Sequence, residues 1–355
     1  MLRNRTIAHN ATLVEALKKM DVLDKKLLIV LDGIKFAGLL SIGDIQRAVI
    51  KNKPLEIRVS DVLRKNIRIA SPEDNLSAIR KMMFNFRMEL CPVVTTDNDI
   101  ITVYFWEDVF QGYKPQPKAK FKLPVVIMAG GLGSRLKPLT NVLPKPLIPI
   151  GEKTMLEEIF DRFVIYGCND FYVSVNYKAE LIKYYIDSQH LPLNINYFIE
   201  KKPMGTAGSL SLLKGKIKQT FFVSNCDILI EQDYSEILEY HRENKNEITI
   251  VAALKHFPIA YGTIETGDNG HLTELKEKPE LTFKINSGMY ILEPHLINEI
   301  PNEIIDITDI IRNLKQNNRK VGVFPVSQNS WTDIGDWNEY MSILAKKKNQ
   351  IENFQ

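Results

Sequence analysis

The chain has 355 residues, 45% hydrophobic and 25% charged, with a net charge of +3 from 46 basic and 43 acidic side chains. That length and mixture hold two domains with cores of their own and exclude a disordered chain, while so small a charge gives no reason to expect nucleic acid or an anionic membrane as partner. Three cysteines without C-x-x-C spacing and six scattered histidines suggest neither a disulfide framework nor a zinc site, and the absence of a leader or membrane-length apolar run makes a reducing cytoplasm the expected location.

The first elements repeat. From Thr6 the chain reads T-I-A-H-N-A-T-L-V-E-A-L-K-K-M, then L-L-I-V-L-D, then G-L-L-S-I-G-D-I from Gly38; from Ile67 it reads I-R-I-A-S-P-E-D-N-L-S-A-I-R-K-M-M, then C-P-V-V-T-T-D, then T-V-Y-F-W-E-D-V from Thr102. The period is roughly 55–65 residues, so each copy is one supersecondary unit. Thr12 and Asn75 stand just ahead of period-3.6 apolar stripes, as helix N-termini do, and β-branched strands follow. The pair resembles tandem CBS domains, expected over residues 1–112. That resemblance implies an adenine nucleotide in the cleft between the copies, its ribose held by an Asp with Ser or Thr three residues earlier. Ser41 and Asp44 keep this arrangement; Asp108 keeps only the carboxylate, because Phe105 replaces the hydroxyl. We read the module first as an interaction surface, through which a homodimer would form, and second as an adenine-nucleotide sensor.

Prolines and lysines in G-Y-K-P-Q-P-K-A-K-F-K then replace the apolar periodicity, which predicts a linker at 113–122 and a second domain over 123–350. An apolar run from Leu123 to Met128 feeds Gly130, Gly131 and Gly133, whose missing side chains let backbone N–H groups approach a polyphosphate. Arg135 offers a planar fork to phosphate oxygens, and Lys145, between Pro144 and Pro146, a compact point charge. Leu136 stands where a dinucleotide fingerprint needs its third glycine, and the Gly-Lys-Ser/Thr of a Walker loop is absent. The whole string, M-A-G-G-L-G-S-R-L-K-P-L-T-N-V-L-P-K-P-L-I-P-I, resembles the signature of the sugar nucleotidyltransferases, G-G-x-G-S/T-R-x-x-P-L-T followed by P-K-P-L/M-x-P.

Strand-like and helix-like segments alternate from here on, which predicts an α/β fold: a doubly wound, mostly parallel sheet of the Rossmann-like nucleotidyltransferase kind. Ligands of such sheets bind beyond the carboxyl ends of the strands, where Gly130, Asn176, Glu200 and Asp227 are expected. Asp227 closes F-F-V-S-N-C-D, and Asp333 lies in W-T-D-I-G-D-W. One carboxylate makes a weak Mg²⁺ site, so a second from a distant segment is needed; the resemblance assigns both aspartates to the metal, and Asp336 is read as a helix cap.

The resemblance further implies that Ala129, Gly130, Gly131, Gly133, Ser134, Gly205 and Thr206 surround the nucleotide, with E-K-K-P-M-G-T-A-G-S-L as the base-reading loop. Guanine presents N1–H and N2–H₂ donors side by side, and the acceptor-only carboxylate of Glu200 can receive both, which favours GTP over UTP or dTTP. Gly205 would permit close approach of the base. For the acceptor, the resemblance makes Lys278 the cation on a sugar 1-phosphate and places Gly262, Glu277 and Asn286 around the sugar, while Arg135 serves the β- and γ-phosphates and Lys145 the α-phosphate. With a CBS pair fused ahead, the chain resembles bacterial glucosamine-1-phosphate guanylyltransferases of legionaminic acid biosynthesis, which implies GDP-glucosamine as product; the sugar rests on that likeness alone. Alternatives are mannose-1-phosphate guanylyl transfer, glucose-1-phosphate uridylyl or thymidylyl transfer, and a regulatory nucleotide-binding protein without catalysis.

Overall fold

Two units, Met1–Gln116 and Pro117–Gln355, divide the chain in the computed structural model, which describes residues 2, 4–110, 117, 119–200, 202–335 and 337–352. Part of the segment read as a linker, and Asp336, read as a cap, lie outside the described residues.

In the first unit the two halves run in the same order. Strand Thr6–Ala8, helix Leu13–Leu23, hairpin Leu27–Asp32 with Lys35–Ser41 and helix Ile42–Ile50 are followed by a single bridge at Ala70, helix Leu76–Phe86, hairpin Leu90–Val94 with Ile100–Phe105, and the short helix Trp106–Val109. The helices start where the sequence supplies a cap. The Thr12 hydroxyl accepts the Glu15 amide at 3.2 Å while the Glu15 carboxylate accepts the Thr12 amide at 2.7 Å, and the Asn75 side chain accepts the Ala78 amide at 2.9 Å. Ile29, Phe36 and Leu39 from the first hairpin share one core with Leu90, Val94, Val103 and Phe105 from the second. Beside it Arg5, 2% exposed, reaches Glu89 at 2.7 Å and Glu107 at 3.0 Å; a guanidinium is tolerated at that depth because two carboxylates pair it.

The second unit is built on a seven-stranded sheet in the order Asn194–Ile199, Asp170–Val175, Val125–Met128, Phe221–Asn225, Glu280–Leu292, Ile248–Pro258, Val321–Ser327. Every neighbouring pair is parallel except the two made by Glu280–Leu292, which runs against the rest. The sheet is therefore mixed, with six strands sharing one direction. Helices Met155–Val164 and Ala179–Ser188 return the chain between parallel strands, as parallel pairing requires. The central strands are apolar on both faces: Phe221 and Val223 enter the main core with Leu210, Ile248 and Leu292, while Phe222 points the other way, its ring centroid 5.3 Å from that of Phe163. This packing aligns the carboxyl ends of Val125–Met128, Asp170–Val175, Asn194–Ile199 and Phe221–Asn225, which Gly130, Asn176, Glu200 and Asp227 follow closely in sequence.

Candidate active site

Arg135, Lys145, Asp227 and Asp333 meet at that edge. Asp227 leaves the strand Phe221–Asn225 and opens a short ribbon in which Ile228–Ile230 pairs antiparallel with Trp331–Asp333, Ile228 opposite Asp333; the Ile334 amide donates to the Asp227 carbonyl at 2.7 Å. Two aspartates 106 positions apart are thus set side by side by backbone hydrogen bonds. Lys145, 8% exposed, forms an ion pair with Asp227 Oδ2, and Nη2 of the exposed Arg135 lies 3.8 Å from the same oxygen. Asp333 accepts the Gly335 amide on Oδ1 at 2.7 Å. Burial first, and then the negative charge of Asp227, push the Asp333 carboxyl above its ordinary value. Cys226, between these groups, is buried and its thiol is pushed up to about 12, so it stays neutral and unreactive.

The pair of aspartates suits Mg²⁺. Among the described residues no group of three or more His, Cys, Asp or Glu side chains gathers, so a cation here would draw two protein ligands and take the rest from phosphate and water, which is how Mg²⁺ binds beside nucleotides. The raised Asp333 carboxyl is the observation in favour: two like charges in one sparsely solvated place are relieved by a cation.

The glycine loop faces outward. The amides of Gly130, Gly131 and Gly133 have no backbone acceptor among the described residues, and Gly131 and Ser134 are exposed. Ala129 is buried and donates to the Ser174 carbonyl at 3.1 Å. The loop is braced from beneath: the Thr140 hydroxyl donates to the Gly133 carbonyl at 2.9 Å, the Tyr177 hydroxyl to the Thr140 carbonyl at 3.2 Å, and Trp337 Nε1 to the Lys137 carbonyl at 2.8 Å.

Glu200 is buried with its carboxylate directed at the loop; a Cβ at position 130 would stand 2.7 Å from its Oε1, so a side chain there would push the carboxylate aside. Gly205 is approached closely by protein on one side. Its φ is +75°, and a Cβ would stand 2.5 Å from the Ile305 carbonyl oxygen. Asp306 holds the same loop by accepting from the Thr206 amide at 2.9 Å and hydroxyl at 3.0 Å. Sequence reasoning missed Asp306 and Ser174. The signal for Asp306 was its place before the stripe I-T-D-I-I-R-N-L, where it caps the helix Ile307–Gln316; for Ser174, a small polar residue between the two valines that close its strand.

The acceptor residues are less gathered. Asn286 sits on the reversed strand, its amide donating to the Tyr290 hydroxyl at 2.8 Å; two residues on, Gly288 packs against Asn225 at the end of Phe221–Asn225. Gly262 lies against Glu277, 3.0 Å from its Oε2 to a Cβ position, and Glu277 and Lys278 are exposed. Among the described residues no hydrogen bond or ion pair joins Gly262, Glu277 or Lys278 to the cluster at Asp227. In the first unit, Ser41 and Asp44 form a capping box, and Asp44, buried, also receives Arg47 Nη2 at 2.5 Å and Arg64 Nε at 2.9 Å. Asp108 lies in the first turn of the helix Trp106–Val109.

The nucleotidyl transferase family is matched over residues 124–350. A mannose-1-phosphate guanylyltransferase catalytic subunit beta of Dictyostelium discoideum is 28% identical over 240 residues, 66% of this chain and 67% of the relative. A mannose-1-phosphate guanyltransferase of Yarrowia lipolytica is 35% identical over 185 residues, 49% of this chain and 50% of the relative. A solved Bacillus anthracis protein assigned as a glucose-1-phosphate thymidylyltransferase shares the fold at 22% identity, with a TM-score of 0.50 over 63% of this chain and 94% of that one. These findings overturn one expectation. The relatives are named for mannose 1-phosphate, so glucosamine 1-phosphate as acceptor and legionaminic acid as end product are not upheld. Likeness alone had carried that sugar, and no side chain of the acceptor region singles out an amine.

Proposed function

This chain belongs to the nucleotidyl transferase family and is an enzyme of sugar-1-phosphate nucleotidyl transfer, and from that premise we propose that its substrates are GTP and mannose 1-phosphate or the related glucose 1-phosphate. The observation that carries the reading is the convergence of Arg135, Lys145, Asp227 and Asp333 at one sheet edge beside an outward-facing glycine loop. Guanine over uracil or thymine is supported by Glu200, an acceptor-only group directed at that loop. Mannose is supported by the activities for which the relatives are named.

A phosphate oxygen of the sugar 1-phosphate attacks the α-phosphorus of GTP, the bond from that phosphorus to the bridging oxygen breaks, and pyrophosphate departs. The nucleophile is already anionic, so no side chain need remove a proton. What the chain supplies is alignment of two mutually repelling anions and stabilisation of transferring charge. Arg135 and the loop amides hold the β- and γ-phosphates, Lys145 faces the α-phosphate, and Lys278 anchors the acceptor. Asp227 and Asp333 would hold Mg²⁺, which would supply neutralisation of the triphosphate charge. Ala129, Ser134, Gly205 and Thr206 shape the nucleotide pocket, and Asn286, Glu277 and the Gly262 backbone the acceptor pocket.

For the first unit we propose a CBS-type pair acting as an interaction surface between copies. The repeated element order supports the pair, and the capping and arginine contacts that engage Asp44 support the structural role over nucleotide sensing. Pyrophosphate release with Mg²⁺, over a grid of GTP, ATP, UTP and dTTP against mannose, glucose and glucosamine 1-phosphates, tests the main reading. GTP with mannose or glucose 1-phosphate is expected to give the highest kcat/KM; preference for UTP or dTTP would overturn it.

A further inference from the structure

Glu200 follows the edge strand Asn194–Ile199, yet its carboxylate is turned inward and the residue is only 6% exposed. Its surroundings fix it there. Ser174, fully buried on the adjoining parallel strand in register with Phe198, donates its hydroxyl to Oε1. The Met204 amide donates to Oε2 at 3.3 Å, and the Asn176 side chain donates to the Glu200 carbonyl at 2.6 Å. A carboxylate has about four acceptor directions, two on each oxygen. The two donors occupy one on each, which leaves one per oxygen for the adjacent N–H groups of a purine edge. A fully buried hydroxyl needs a partner, and this one spends its single proton on Oε1, 26 positions away.

We infer that Ser174 is a positioning residue for base specificity: its hydroxyl holds Glu200 in the rotamer that turns one free lone pair of each oxygen toward guanine. The inference rests on the reading of Glu200 as the guanine acceptor and goes beyond it, because it places discrimination in a pair of residues on neighbouring strands. Without the hydroxyl, Oε1 loses its fixed donor and the side chain gains rotamers, so the cost of ordering it falls on nucleotide binding.

Comparing GTP with ITP, which lacks only the N2 amino group, isolates this effect. The native enzyme is expected to favour GTP by kcat/KM on the order of tenfold or more, and Ser174→Ala to lower that ratio by roughly tenfold, the lower end for a hydrogen bond to a charged group, since Met204 and Gly130 still constrain the side chain. The change should lie in KM for GTP, with KM for the sugar phosphate unmoved. A ratio measured on one preparation does not depend on the folded fraction, so a destabilised variant cannot imitate the result. Ser174→Cys, a weaker donor of similar size, should fall between. In a Glu200→Gln background, Ser174→Ala should change the ratio by less than about twofold. A native enzyme that discriminates while Ser174→Ala discriminates equally well overturns the inference and leaves Glu200 standing. No discrimination in the native enzyme removes the reading of Glu200, and this inference with it.

Discussion

Replacing Lys145 by alanine is the sharpest perturbation the site offers, because it separates what the lysine does for the fold from what it does for the reaction. Lys145 is 8% exposed, and the Asp227 side chain it pairs with is 13% exposed. Breaking a pair at that depth leaves a desolvated carboxylate beside a second one, Asp333, with Arg135 Nη2 at 3.8 Å as the remaining nearby cation. The expected loss of stability is about 3 kcal/mol. Turnover should fall more steeply, by about 10²–10³ or beyond, because a cation aimed at transferring charge in a sparsely solvated site acts mainly in the transition state. Adding Asp227→Asn to the same chain removes the stranded charge, so thermal stability should largely return while turnover does not. Pyrophosphate release and thermal melting, on both variants and the native chain, check the two halves. Near-native turnover in Lys145→Ala would refute the assignment of this lysine to the phosphates; recovery of turnover together with stability would reduce the residue to a structural one.

Asp333→Asn should raise the melting temperature by a few degrees in the absence of divalent cations, since it removes a burdened like charge while an amide oxygen can still accept the Gly335 N–H, and it should abolish most turnover; a lowered melting temperature would count against the electrostatic account. Elsewhere in the same unit, Glu247 accepts Arg319 Nε at 3.0 Å on both oxygens and lies 2.7 Å from His295 Nε2, contacts with Arg319 foremost that lower its carboxyl to about 2. A depressed carboxyl stabilises above its unfolded value and loses that contribution as acid protonates it. Denaturation midpoints of the native chain should therefore fall between about pH 4.5 and pH 2 more steeply than those of Arg319→Leu, with a difference of about 1–2 kcal/mol at neutral pH because the pair is partly exposed; parallel curves would exclude this pair as the cause.

Much of this arrangement was legible because it depends on local chemistry. Thr12, Asn75 and the alternation of apolar runs announced helices and parallel strands, and the glycine loop with Arg135 and Lys145 is contiguous enough to read directly. What escaped depends on contacts between distant segments. Nothing near Asp306 says that its oxygen will hold Thr206, since 100 positions separate them, and Ser174 looks like a minor interruption of a strand until Asn194–Ile199 lies beside it. The reversed strand Glu280–Leu292 was hidden for another reason: its first half is largely exposed and its second buried, so no single periodicity runs through it. The acceptor sugar was the hardest reading, because the residues assigned to it are mostly exposed and specify hydroxyl or amine equally well.

The ribbon that joins Ile228–Ile230 to Trp331–Asp333 also sets an order of events during synthesis. The glycine loop, Lys145 and Asp227 emerge from the ribosome first and can settle among parallel neighbours, but Asp333 arrives roughly a hundred residues later, which takes about 5–20 s at ordinary elongation rates. Through that interval a nascent chain has the cradle without its clasp, and it turns over substrate only after its C-terminal segment has come back to the edge where the first aspartate waits.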